Sequence, residues 1–159
     1  MDKVCTLFNE QFRELHRHSQ ALIQAVPSEK LYWLPRESRI GLPIYSCGEH
    51  ILRSAGAVEQ TFGGITTNLW DDPFEWTLPE TLSTNESIIG YLEEVESTRQ
   101  RGFELFGCDD ELLKEIVVPS GEMQTILSLL LDTLVRAAHH KGCAFATFTL
   151  FSDARIPKI

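Results

Sequence analysis

The chain has 159 residues, 43% of them hydrophobic, with a formal charge of −9 and a pI near 5.0. That is length and apolar content for one domain with a real core, and it excludes a disordered chain. A surface this acidic repels phosphate backbones and anionic lipid, so neither nucleic acid nor membrane is expected as a partner.

No apolar run reaches about 18 residues, and the opening MDKVCTLFNEQF contains no cleavable hydrophobic stretch. A cytoplasmic protein with no membrane span and no export signal is the expectation. Cys5, Cys47, Cys108 and Cys143 show no CxxC spacing and read as reduced thiols, not as a disulfide framework. No repeat, low-complexity tract or flexible linker divides the sequence, so residues 1–159 read as a single domain.

Four segments have helical length and period. The first spans about 2–25, where Val4, Leu7, Phe8, Phe12, Leu15, Leu22 and Ile23 recur at a 3–4 spacing and Pro27 ends the run. The second spans about 43–62 on Ile44, Cys47, Ile51, Ala55, Val58 and Phe62, with Gly63-Gly64 as its stop. The third starts after the cap candidates Ser83, Thr84 and Asn85, carries Glu86 in its first turn, and closes at Gly107. The fourth spans about 121–152, with a wide apolar face that includes Ile126, Leu127, Leu130, Leu131, Leu134, Ala138, Phe145 and Phe148. No segment alternates with period two. The nearest to a strand, Ile116-Val117-Val118, is too short to anchor a sheet. The fold class expected is an all-α four-helix bundle.

The connections are long, roughly seventeen residues over 26–42 and about twenty over 63–82, where antiparallel neighbours need only a handful. Such loops allow an overhand crossover. The second loop holds Trp70, Phe74 and Trp76, with Pro73 and Pro79 among them, and these aromatics are expected to pack on the bundle or cover one end.

The polar residues of the last helix stand out. Residues four apart share a helix face, which puts Asp132, Arg136 and His140 in one row with His139, Cys143 and Thr147 beside it. On the second helix His50 has Cys47 three residues before it. Imidazole and thiolate are both zinc ligands, and residues three or four apart on one helix can chelate one ion. The plainer readings are hydrogen-bonded or exposed histidines, cysteines as small core residues, and an Arg136–Asp132 pair at i, i+4. His16 and His18, beside Arg13 and Arg17, read as a solvated face.

The HHKG of the last helix, His50 in EHILRSAGAVEQ, and Trp33-Leu-Pro35 ahead of the second helix resemble the DinB-like superfamily over essentially the whole chain. The resemblance implies an up-down-down-up four-helix bundle with a long crossover between helices 2 and 3, and a homodimer. It also implies a divalent metal held by three histidines, one from helix 2 and two at i, i+4 from helix 4, in a pattern like HxxxHRGQ. Characterised members include S-transferases and isomerases that use low-molecular-weight thiols, and many others have no assigned activity. Carried over residue by residue, His50 matches the helix 2 ligand and His140 the later ligand of helix 4. The earlier helix 4 position is Arg136, and the glutamine of the pattern is Cys143. Arginine stays protonated and has no lone pair to give a metal.

Three readings follow. In the first, the metal site is degenerate, and Arg136, His140 and His50 form a pocket for a small anionic ligand, with Arg136 gripping a carboxylate or phosphate. In the second, a rearranged site on His50 and His140, completed by Cys47, Cys143 or His139, holds zinc or nickel and serves thiol transfer or hydrolysis. His139 lies about 100° around the helix from His140, so both reach one ion only with strain. In the third, the protein is a non-catalytic dimeric scaffold with no cofactor. Neither catalytic residues nor a substrate can be assigned from the sequence.

Overall fold

Residues 2–36, 43–73 and 77–156 of the protein are described by a computed structural model. Four helices, α1 (Lys3–Ala25), α2 (Cys47–Thr67), α3 (Asn85–Glu104) and α4 (Ile126–Phe148), contain 23, 21, 20 and 23 residues. The chain is mostly helical, as its periodicity predicts. None of the described helices is long and apolar enough to cross a membrane.

Local chemistry sets the helix ends. Ser46 and Glu49 form a reciprocal capping box at the start of α2, so residues 43–46 lead into the helix instead of belonging to it. Thr84 and Ser87 do the same for α3, which selects Thr84 from the three cap candidates. The expected stop at Gly63-Gly64 is incorrect. The helix runs on to Thr67 and ends where Asn68 turns left-handed at φ 56°. Gly64 has a different purpose: a Cβ there would lie 2.4 Å from the indole of Trp70. Trp70 therefore packs on α2, while Phe74 and Trp76 lie outside the described residues.

The all-α expectation needs one correction. Strand β1 (Glu115–Val117) pairs antiparallel with β2 (Met123–Thr125), Ile116 opposite Gln124. Gly121, at φ 84°, donates to the Val118 carbonyl at 2.8 Å and closes the turn. Alternation could not reveal strands of three residues each. The hairpin also shortens α4 from its expected start near 121: Thr125 ends β2 and caps α4 by accepting from the Ser128 amide.

Phe12, Phe62 and Phe103 form the centre of the core, with ring centroids 5.3–6.1 Å apart. These rings come from α1, α2 and α3, the separation range of stabilising aromatic pairs. Gly102 allows α3 to approach, since a Cβ there would lie 2.4 Å from the Phe62 ring. Helix ends are tied across the structure. Asn85 donates to the Ile23 and Val26 carbonyls at the end of α1. At its other end α1 gets no side-chain cap from Asp2. Instead the Val4 and Cys5 amides donate to the Asp109 carboxylate at 3.1 and 2.9 Å.

Candidate functional site: the seam between α2 and α4

The two helices meet through a ladder of polar contacts. Thr61 and Thr133 hydroxyls lie 2.7 Å apart. Thr133 spends its proton on the Leu129 carbonyl, so Thr61 is the donor between them. Ser54 donates to the Ala137 carbonyl at 2.8 Å. At the far end the Nδ1 atoms of His50 and His140 face each other at 3.3 Å. The sequence placed these two histidines on separate helices, and the fold brings them into contact.

Both rings are half-buried. Burial lowers the His50 pKa to about 4, with help from His140, His139 and Arg53 and against the opposing pull of Glu49. Burial also lowers His140, reinforced by His139, Arg53 and Arg136. Both imidazoles are therefore neutral at pH 7. An Nδ1–Nδ1 contact between neutral rings needs opposite tautomers, one N–H facing one lone pair.

The surrounding residues divide into two groups. Tyr45 meets the His50 ring edge-on with centroids 5.4 Å apart, and the Arg53 guanidinium lies 3.8 Å from the Tyr45 centroid. Sequence reasoning missed Tyr45 and Arg53. The available signal was Arg53 standing one turn beyond His50. On the other side, Arg136 is exposed and lines a groove of about 350 Å³ with Gln60, Thr61, Trp70, Asp132 and Thr133. The expected Arg136–Asp132 ion pair does not form: among the described residues neither side chain makes one. Arg136 thus bounds the cleft one turn from His140 and acts on it through charge.

The other residues considered for a metal lie elsewhere. Cys47 is fully buried in the core, and burial pushes its thiol up to about 12, which opposes the thiolate a metal needs. Cys143 turns to His139, Sγ 3.7 Å from Nε2. The rings of His139 and His140 are 5.4 Å apart and tilted by 65°. Among the described residues, no three His, Cys, Asp or Glu side chains are grouped so that they could hold a metal ion.

His16 and His18 are not the solvated face expected of them. His16 is half-buried and lines a small pocket of about 20 Å³ with Ser19, Ser54, Glu96 and Arg99, room for about one water. The His18 side chain is 14% exposed and lies 3.6 Å from Glu14. Compared with protein families, with curated proteins and with solved structures, the chain matches none of them.

Proposed function

We propose that the cleft between α2 and α4 binds a small anionic ligand through a carboxylate or phosphate group. Arg136 provides the charge, and His140 and His50 provide imidazole groups that can donate to the ligand or take up its proton. The observation that carries this reading is an exposed guanidinium that makes no ion pair among the described residues, one turn from His140, whose ring meets that of His50, with burial and cationic neighbours lowering the pKa of both imidazoles. A planar guanidinium grips two anionic oxygens at once, and Arg136 lines an open groove beside Gln60, Thr61 and Thr133. In a chain of charge −9, local positive potential at a cleft selects for an anion.

In this reading the chain is a DinB-like bundle of unassigned activity whose metal site has become degenerate at Arg136. The contact pairs support the up-down-down-up order. His50–His140 and Thr61–Thr133 fit α2 and α4 running antiparallel. Tyr91 donating to Glu59, and Phe62 packing on Phe103, fit α2 and α3 running parallel with a crossover between them.

One observation favours a second reading, a metal-dependent S-transferase or hydrolase. Two imidazole nitrogens on a tetrahedral zinc ion, each at about 2.05 Å, stand about 3.3 Å apart, which is the separation His50 and His140 show. Both rings are already neutral, as ligands must be. A bound ion would supply a Lewis acid for a water or thiol. Two ligands and a nearby guanidinium make the fit incomplete.

Calorimetric titration with inorganic phosphate and with zinc, done separately, tests both. The anion reading expects phosphate binding that Arg136→Gln abolishes and no stoichiometric zinc in wild type, with zinc gained by Arg136→His. Zinc binding to wild type that His50→Ala or His140→Ala removes, with no phosphate binding, supports the second reading. A wild type that binds neither leaves the scaffold reading.

A further inference from the structure

Two cysteines 103 positions apart meet at the start of α1, where the Cys5 thiol donates to the Cys108 carbonyl at 3.6 Å. Cys5 is fully buried. Cys108 is half-buried and heads the 3-10 turn Asp109–Leu113 that follows α3. The residue after Cys108 clamps the contact. Asp109 accepts the Val4 and Cys5 amides at 3.1 and 2.9 Å, and its own amide donates to Asp2 at 3.2 Å. All four cysteines are free thiols. The other two are placed differently: Cys47 is buried on α2, and Cys143 turns to His139 on α4.

We propose that Cys5 and Cys108 form a redox-sensitive site, which a peroxide oxidises to a disulfide that latches the first turn of α1 to the turn after α3. A disulfide forms only where the fold holds two cysteines close, with Cα atoms within about 7 Å. One residue's Sγ resting on the other's backbone carbonyl is contact of that kind, and the bonds to Asp109 keep it in register. The two thiols divide the chemistry by exposure. Burial and Asp109, with smaller contributions from Asp2 and Cys108, push the Cys5 thiol up to about 11, so it stays protonated at pH 7. Cys108 is the sulfur that solvent reaches, and it meets the oxidant first. Its thiolate attacks one peroxide oxygen. The S–O bond forms, the O–O bond breaks, and the departing hydroxide leaves as water with the thiol's proton, giving a sulfenic acid. The Cys5 sulfur then attacks the Cys108 sulfur. The S–S bond forms, the S–O bond breaks, and hydroxide leaves as water with the Cys5 proton. Two thiols have lost two electrons, and one peroxide has become two waters. The site draws on α1 and the turn after α3, not on the α2–α4 seam, and stands apart from the ligand reading.

Hydrogen peroxide on the folded full chain, followed by alkylation in denaturant, intact mass and unreduced peptide mapping, is the test. Two of the four thiols are expected to disappear with no oxygen added, in one cross-linked peptide pair that contains Cys5 and Cys108. Dithiothreitol is expected to return all four. The bridge should form at least about tenfold faster in the folded chain than in concentrated urea, because the fold supplies the effective concentration. In Cys5→Ala, Cys108 should stop at the sulfenic acid, which dimedone traps, and pass to sulfinic acid under excess peroxide. A bridge between any other two cysteines, a bridge no faster than in urea, or wild-type Cys108 carried to sulfinic acid as fast as in Cys5→Ala would each overturn the inference. So would a Cys108 that peroxide leaves unchanged. The wild-type map and the urea comparison decide the matter even where Cys5→Ala folds poorly.

Discussion

Two polar seams run through the bundle, and they are built on opposite plans. Between α1 and α3, Arg99 is 3% exposed and Glu96 12%, and these two charges pair with each other. Arg99 makes a two-pronged pair with Glu96 at 2.7 and 2.6 Å and donates to Asn9. Gln100 adds a 2.9 Å bond to the same carboxylate. Burial works against the Glu96 charge, but Arg99 and Gln100 outweigh it and hold the carboxyl below its usual range. Between α2 and α4 the hydroxyl and imidazole rungs are paired, whereas the guanidinium of Arg136 stands at the edge without an ion pair. A charge satisfied by its own chain holds helices in place. A charge its own chain leaves open is available to something else.

The contrast can be broken most severely at the closed seam. Glu96→Ala leaves Arg99 buried without its counter-charge, and a loss of about 3–5 kcal/mol is expected in urea unfolding. Replacing Glu96 and Arg99 together by apolar residues should recover most of that loss. A Glu96→Ala variant as stable as wild type would remove the distinction between the seams.

Acid is expected to act next most strongly, through the open seam. The His50 pKa in the folded state lies near 4, below the unfolded value of 6.5, so between these values the unfolded chain binds more protons. Stability is full above pH about 6.5 and falls as the pH drops toward about 4. Allowing for the partial exposure of the ring, the loss is on the order of 1–2 kcal/mol. His140 and His16 are lowered in the same direction. His50→Gln should flatten this part of the pH profile. An unchanged profile in that variant would mean the ring is not held neutral by the fold.

Smaller effects sharpen the comparison. Thr61→Val removes a buried donor while Thr133 keeps its bond to Leu129, and about 1 kcal/mol is expected. Arg136→Gln should change thermal stability by no more than about 0.5 kcal/mol while abolishing phosphate binding. A destabilisation above about 1.5 kcal/mol there would place Arg136 with Arg99, as a structural charge.

The four helices were legible because their apolar residues keep a helical period over some twenty positions. The capping residues refined their ends. The hairpin was not, because three-residue strands leave no room for alternation and their pairing depends on a single turn at Gly121. Gly64 looked like a terminator because sequence shows that a side chain is missing and not what fills its place, here Trp70. At the site, His50 and His140 could be placed on facing helices. The groups packed around them could not, since Tyr45 meets the His50 ring from the loop ahead of α2 and Arg53 lies over the Tyr45 ring. His16 was misread for a related reason: its flanking arginines, Arg13 and Arg17, point outward while its own position turns toward α3.

The cap on α1 has a bearing on the order of folding. The first amides of this helix are closed by Asp109, more than a hundred residues later in the chain, and its last carbonyls by Asn85. While the chain is being synthesised, neither partner exists when α1 emerges. Its ends stay frayed until α3 and the turn that follows it have arrived. Closing so long a loop costs entropy before the bonds can form. Contacts at Val4 and Cys5 therefore belong to the late side of the folding barrier. Asp109→Ala should speed unfolding and leave the folding rate nearly unchanged.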